Sequence, residues 1–313
     1  MIRLEHVTRK YGHITALRDV TLEAAPGKIT GLLGRNGTGK TTAMNLMAGY
    51  FPPDEGRVLI RGTDMLEKPR ECRRLIGYLP EKPPLYEEMT VKDYLKFVCD
   101  LREVLPRARE GHTAEIMRIC GLEAEGDRVI GHLSKGFRQR TGIAQALCGN
   151  PEALILDEPT VGLDPMQEAE IRELIRALGK NHTIVFSSHI LSEVQALCDR
   201  VLILHEGRLI RSFDMRGEEN GQIRLRMSVA GKERELLAAV RSIGCVRKAE
   251  ALPAEEAGTA EIRVTGQKKD ERGYLTDQLF RLMAAMDAPI RRMEPERDDL
   301  ETVFLEAVNQ PSP

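Results

Sequence analysis

The chain has 313 residues, with 46 Lys and Arg against 48 Asp and Glu, a net charge of −2 and no tryptophan. At ~150 residues per domain the length suggests about two domains, and the even charge argues against a chain-wide nucleic-acid-binding role. The composition is that of a water-soluble globular chain, without an apolar run near the ~20 residues of a membrane span. The opening MIRLEHVTRK lacks the apolar stretch of a signal peptide. Six scattered cysteines without a CxxC pair argue against a disulfide or zinc framework, so a reducing cytoplasmic setting is expected.

In chain order, Ile2, Leu4 and Val7 predict an opening strand, and Leu17, Val20 and Leu22 a second. A Pro26-Gly27 turn precedes the apolar run Ile29-Thr30-Gly31-Leu32-Leu33, which reads as a third strand. Gly34-Arg35-Asn36-Gly37-Thr38-Gly39-Lys40-Thr41 follows, a match to G-x-x-x-x-G-K-[ST] in its proper place between a strand and a helix-like stretch. Such glycines let backbone N–H groups turn inward around a phosphate, and the helix amino end adds a partial positive charge. Lys40 supplies a full charge to the β- and γ-phosphates of a nucleotide, and Thr41 a hydroxyl to Mg²⁺.

Residues 91–148 read as an inserted helical region, opened by Val91, Tyr94, Leu95 and Val98. Near its end Ser134 is a candidate N-cap, and Gly136 permits close approach of an anion to the backbone. Ala153-Leu154-Ile155-Leu156 and residues 183–186 are short apolar runs, as buried parallel strands are. Between them Ile171, Leu174, Ile175 and Leu178 carry helical spacing, so strand, helix and strand imply a βαβ unit. Asp157 and Glu158 close the first run, where carboxylates face the ligand crevice of an open α/β sheet. Asp157 is the candidate Mg²⁺ ligand and Glu158 the candidate general base. His189 ends the second run on the same edge, where an imidazole reaches a γ-phosphate oxygen; a lone histidine is more often structural, and its position is the argument for it.

Taken in order, these elements resemble the ABC ATPase family, specifically the nucleotide-binding subunit of an ABC transporter, over residues 1–215. Leu133-Ser134-Lys135-Gly136-Phe137 is similar to the family signature LSGGQ, and Thr160-Val161-Gly162-Leu163-Asp164-Pro165 to its D-loop. The resemblance implies ATP and Mg²⁺ as ligands, with Gly34 to Thr38, Gly39, Lys40, Thr41 and Thr42 around the phosphates. It implies stacking of adenine on Tyr11, a γ-phosphate contact from Ser134 and Gly136 of the opposite subunit, a D-loop acid at Asp164 and a switch histidine at His189. Glu81 stands where the family usually has the glutamine that couples ATP to the membrane partner, and Phe137 where the signature has glutamine. Glu81 still approaches Mg²⁺ and accepts from water.

The implied fold is α/β: a phosphate-loop domain with a parallel-sheet core, an antiparallel β subdomain and a helical subdomain. One phosphate loop per chain implies a head-to-tail dimer, as a homodimer or with a paired ATPase subunit. The absence of a membrane segment implies a separate multi-span permease, with the chain peripheral on the inner face of the membrane. The YLPE and LSKGF segments and Phe304-Leu305-Glu306 resemble bacterial exporters, which favours export over import. A soluble ABC ATPase acting on ribosome or DNA is the alternative, but it is disfavoured. Ribosomal relatives carry tandem cassettes and chromosomal ones long coiled coils, and residues 42–132 hold no sustained heptads.

Beyond a polar linker at residues 216–221 the pattern restarts as β, α, β, β, α, β over 222–313, the ferredoxin-like order, with a final helix near 298–309. The expected core there is Leu225, Met227, Leu236, Val240, Val264, Leu279 and Leu282.

Overall fold

Alternating Ile2, Leu4 and Val7 shape the first strand, β1 (Ile2–Tyr11), which turns back into β2 (Ile14–Ala24). The computed structural model describes residues 2–215, 222–254, 258–270, 273–295 and Phe304. Two compact units emerge, the first formed by residues 2–212 together with Phe304. In it β1 pairs antiparallel with β2, setting Leu4 opposite Leu22 and Val7 opposite Val20. Next come β3 (Ile29–Leu33), α1 (Lys40–Met47), β4 (Glu55–Ile60) and β5 (Thr63–Asp64). The order β2-β1-β4-β5 makes an antiparallel sheet, and its apolar side packs with Met44 and Leu46 of α1 in one buried cluster.

The chain continues through α2 (Pro69–Arg74) and β6 (Ile76–Leu79) into the helical region, α3 (Val91–Leu101), α4 (Pro106–Ile119) and α5 (Lys135–Leu147). Thr90 starts α3 by accepting the Asp93 amide at 3.1 Å, and Pro106 at the first turn of α4 needs no amide partner. The helices pack directly on the sheet: a Cβ on Gly77 of β6 would collide with the Ala146 carbonyl of α5.

The remaining elements of the unit are β7 (Ala153–Leu156), α6 (Pro165–Leu178), β8 (Thr183–Ser188), α7 (Leu191–Leu197), β9 (Arg200–His205) and β10 (Arg208–Asp214). The second sheet has the order β10-β9-β3-β8-β7-β6, with β3, β6, β7, β8 and β9 parallel. Every residue of β3, β7 and β8 is buried, which is why these strands read as unbroken apolar runs rather than alternating ones. The loops leaving β3, β8, β7 and β6 emerge side by side at the carboxyl edge, where ligands bind in such sheets. No helix among the described residues is long and apolar enough to cross a membrane.

The second unit begins at Phe213 and contains β11 (Gln222–Ala230), α8 (Glu233–Arg241), β12 (Val246–Leu252), β13 (Thr259–Gln267), a small hairpin of β14 (Lys269–Asp270) and β15 (Gly273–Tyr274), α9 (Leu275–Ala285) and β16 (Ile290–Pro295). Its sheet has the order β12-β13-β11-β16 with antiparallel pairing throughout. This is a split βαβ arrangement. The core holds Leu225, Met227, Leu236, Val240, Val264 and Leu279 as expected, but Leu282 is only half-buried. The buried stripe of α9 runs instead through Leu275, Leu279 and Met283, because those side chains, spaced four apart, share one helix face. The expected linker at residues 216–221 and final helix at 298–309 lie outside the described residues, Phe304 excepted.

Candidate functional site

The loop from Gly34 to Gly39 wraps the amino end of α1. Gly39 has φ 103°, and a Cβ there would stand 2.5 Å from the Ala16 carbonyl, so both conformation and space demand glycine. The first turn of α1 holds no acidic residue and receives no side-chain cap, leaving its positive end for an anion. Lys40 lies beneath the loop, its Nζ donating to the Gly34 carbonyl at 2.8 Å and the Arg35 carbonyl at 3.3 Å. Arg35 also anchors the turn by accepting from Thr38 Oγ1 at 2.9 Å.

Beyond β7 the chain presents two buried acids with different surroundings. Asp157 accepts a 2.6 Å hydrogen bond from Ser187 Oγ of β8, and the same hydroxyl accepts the Glu158 amide at 2.8 Å. Burial raises the Asp157 carboxyl above its usual range; the Ser187 and Thr41 hydroxyls pull it down, and the charges of Glu158 and Glu81 push it further up. Its Oδ2 is buried without a hydrogen-bond partner among the described residues. Glu158 sits in the left-handed region at φ 46°, a conformation that persists in a non-glycine residue only when neighbours enforce it. They do. Its amide is held by Ser187, its Oε1 lies 3.3 Å from Lys40 Nζ, and its Oε2 lies 2.9 Å from His189 Nδ1.

A cleft of ≈ 650 Å³ gathers these groups. Asn36, Gly37, Gly39, Lys40, Thr41 and Thr42 line it, as do Glu81, Glu158 and His189. The structure therefore brings together residues from four neighbouring strand ends. Gly34, Thr38 and Asp157 are buried behind this lining, whereas Arg35 is exposed beside it and contributes its backbone carbonyl to the loop.

Tyr11 is not among the lining residues; its ring lies 5.0 Å from the Arg9 guanidinium and edge-on to Phe51 at 6.0 Å. Ser134, Gly136 and Asp164 also lie outside the cleft of their own chain. Ser134 caps α5 by accepting the Phe137 amide at 3.3 Å, and Asp164 caps α6 by accepting the Gln167 amide at 2.9 Å. Gly136 faces the Gln167 side chain, which a Cβ would meet at 2.9 Å.

Sequence reading missed Ser187, whose hydroxyl orients both acids. Its one signal is its place two residues before His189, on the strand beside β7. It also missed the wall formed by Ile14, Thr15 and Ala16 of β2 and the turn at Glu206-Gly207. The Gly207 amide is tied to the Thr38 carbonyl at 3.1 Å, so that turn braces the phosphate loop.

The ABC transporter family profile matches residues 17–161. The bacitracin transport ATP-binding protein BcrA of Bacillus licheniformis is 39 % identical over 215 residues, covering 68 % of this chain and 69 % of that protein. The lantibiotic transport ATP-binding protein SrtF of Streptococcus pyogenes is 36 % identical, covering 70 % of this chain and 93 % of that one. Among solved structures, a dimeric ATP-binding cassette in a post-hydrolysis state, bound to ADP and Pi, superposes with a TM-score of 0.63 at 27 % identity, covering 69 % of this chain and all of the other. With identity at this level over most of its relatives' length, and with a phosphate loop, a general-base candidate and a histidine on one sheet edge, the chain belongs to the ABC transporter ATP-binding family and is an ATPase.

Proposed function

We propose that the chain hydrolyses Mg²⁺-bound ATP as a head-to-tail dimer on the cytoplasmic face of a membrane and thereby drives export through separate multi-span permease subunits. The observation that carries the chemistry is the buried Glu158 carboxylate, held between Lys40 and His189. A carboxylate enclosed in this way is placed to take a proton from water. Lys40 and the loop amides hold the β- and γ-phosphates, and His189 bonds a γ-phosphate oxygen while steadying Glu158.

The residues fit a magnesium ion. Asp157 Oδ2 is buried without a hydrogen-bond partner among the described residues and the Thr41 hydroxyl acts on the same carboxyl, an oxygen set suited to a hard cation that keeps several waters and phosphate ligands. When bound, the ion neutralises charge on the β- and γ-oxygens.

Dimerisation is supported by the position of Ser134, which is exposed at the start of α5 and lies outside its own chain's cleft, with Gly136 buried beside it against Gln167. Export is supported by the bacitracin and lantibiotic transport named for the relatives. The test is ATP hydrolysis by the full chain, alone and with a candidate multi-span permease in reconstituted vesicles. The reading expects stimulation by that protein and loss of activity on chelating Mg²⁺; an unchanged rate in both arms overturns it.

A further inference from the structure

Glu193 has no part in the chemistry above, yet it is 3 % exposed. It lies in the first turn of α7, the short helix that follows His189. An ionised carboxylate is costly to bury unless it is paired and hydrogen-bonded; here one oxygen is hydrogen-bonded, while Oε1 has no hydrogen-bond partner among the described residues and faces only a nearby cation. Its Oε2 accepts a 2.7 Å hydrogen bond from Ser188 Oγ, and Arg172 Nη1 of α6 stands 3.8 Å from its Oε1.

Ser188 immediately precedes His189 and is fully buried. Its hydroxyl has one proton, and the 2.7 Å bond to the carboxylate claims it over the Ile190 carbonyl at 3.5 Å. The oxygen is then left to accept the Ile190 amide at 2.9 Å. One hydroxyl thus ties the residue before His189 to the residue after it, and Glu193 dictates how that hydroxyl points. Packing does not do this for the histidine itself, because its side chain is 42 % exposed. Its ring is set by the backbone turn and by the 2.9 Å contact with Glu158.

We infer that Glu193 is a positioning residue for ATP hydrolysis: through Ser188 it holds the turn that presents His189 to Glu158, with Arg172 compensating its buried charge. A side chain that merely filled the space under α7 would need no acceptor oxygen and no cation beside it. The inference rests on the ATPase reading, and it assigns Glu193 an effect on the reaction rate and none on the phosphate cradle.

The experiment measures kcat and KM for ATP in the full chain carrying Glu193→Ala, Glu193→Gln or His189→Ala, and in the Glu193→Ala/His189→Ala double variant, with Lys40→Ala as control. Because small displacements of a catalytic group lower rates strongly, Glu193→Ala should reduce kcat about tenfold or more and leave KM within about twofold. Glu193→Gln keeps an acceptor for Ser188 and should recover most of the rate. In the His189→Ala background Glu193→Ala should cost less than about twofold more, since residues acting as one unit are not additive. An equal loss in both backgrounds, a rise in KM at unchanged kcat, or a glutamine variant as impaired as alanine overturns the inference. If Glu193→Ala does not fold, Ser188→Ala takes its place with the same expected split. Wild-type turnover in Lys40→Ala would instead overturn the ATPase reading, so the two failures are distinct.

Discussion

Lys40 Nζ stands 3.3 Å from Glu158 Oε1, and neither side chain is more than 10 % exposed. The cation proposed to hold phosphate and the anion proposed to activate water are thus paired with each other away from solvent. Removing one leaves the other buried without its counter-charge, so Lys40→Ala and Glu158→Gln should each destabilise the chain. The double variant should cost less than the sum, by about 1–3 kcal/mol. Urea unfolding of the four proteins measures this, and strictly additive effects would show that the two charges do not interact.

The same pair separates binding from chemistry. Glu158→Gln removes the proton acceptor and leaves the loop and Asp157 in place, so ATP affinity should persist while turnover falls about a hundredfold or more. The nucleotide-bound dimer should then accumulate, visible as an earlier-eluting species on size exclusion in MgATP. Lys40→Ala should weaken ATP binding at least about tenfold, since a charge-assisted contact to phosphate is lost. A glutamine variant that turns over at the parent rate would show that Glu158 is not the base.

Ser134 and Gly136 lie outside the cleft that Lys40 and Glu158 line in the same chain, and the proposed head-to-tail dimer has them complete the site of a second chain. Specific activity should therefore rise with protein concentration through the dimerisation range. A mixture of Lys40→Ala and Ser134→Arg chains should recover part of the activity that each lacks alone. Rates strictly proportional to enzyme concentration at all dilutions would contradict a shared site.

The second unit has its own core, with Leu279 fully buried among Leu225, Val240 and Val264. Leu279→Ala should destabilise that unit by about 2–5 kcal/mol and leave KM for ATP unchanged. Calorimetry together with nucleotide titration checks both halves; a parallel loss of ATP affinity would mean that the second unit helps to build the nucleotide site.

What the sequence disclosed and what it hid follow from the range of the interactions. The phosphate loop is a local motif, and its glycines are required by backbone geometry within six residues, so Gly39 and Lys40 are legible by spacing alone. The runs ending at Leu156 and Phe186 are legible because strands buried on both faces are apolar almost throughout. Ser187 was not legible: its partners Asp157 and Glu158 follow a neighbouring strand, and only the pairing of β7 with β8 gives an ordinary serine two acids to orient. Glu193 is hidden for the same reason, because an acid in a helix's first turn usually faces water. Tyr11 illustrates the reverse case, in which a position matches a pattern while its ring rests on Arg9 and Phe51. In α9, Leu275, Leu279 and Leu282 all fit a helical stripe, and a single face had room to bury Met283 in place of Leu282.

The order β9-β3-β8 in the parallel sheet bears on how the protein is made. Strand β3 and the phosphate loop leave the ribosome early, but both sheet neighbours of β3 are drawn from residues 183–205. Until those residues have emerged, Ile29 to Leu33 have no strand to pair with, and the growing chain holds an apolar segment beside an unsupported glycine-rich turn. Closing contacts over such a separation is slow. Nascent chains arrested before β8 should therefore depend on a chaperone for protection.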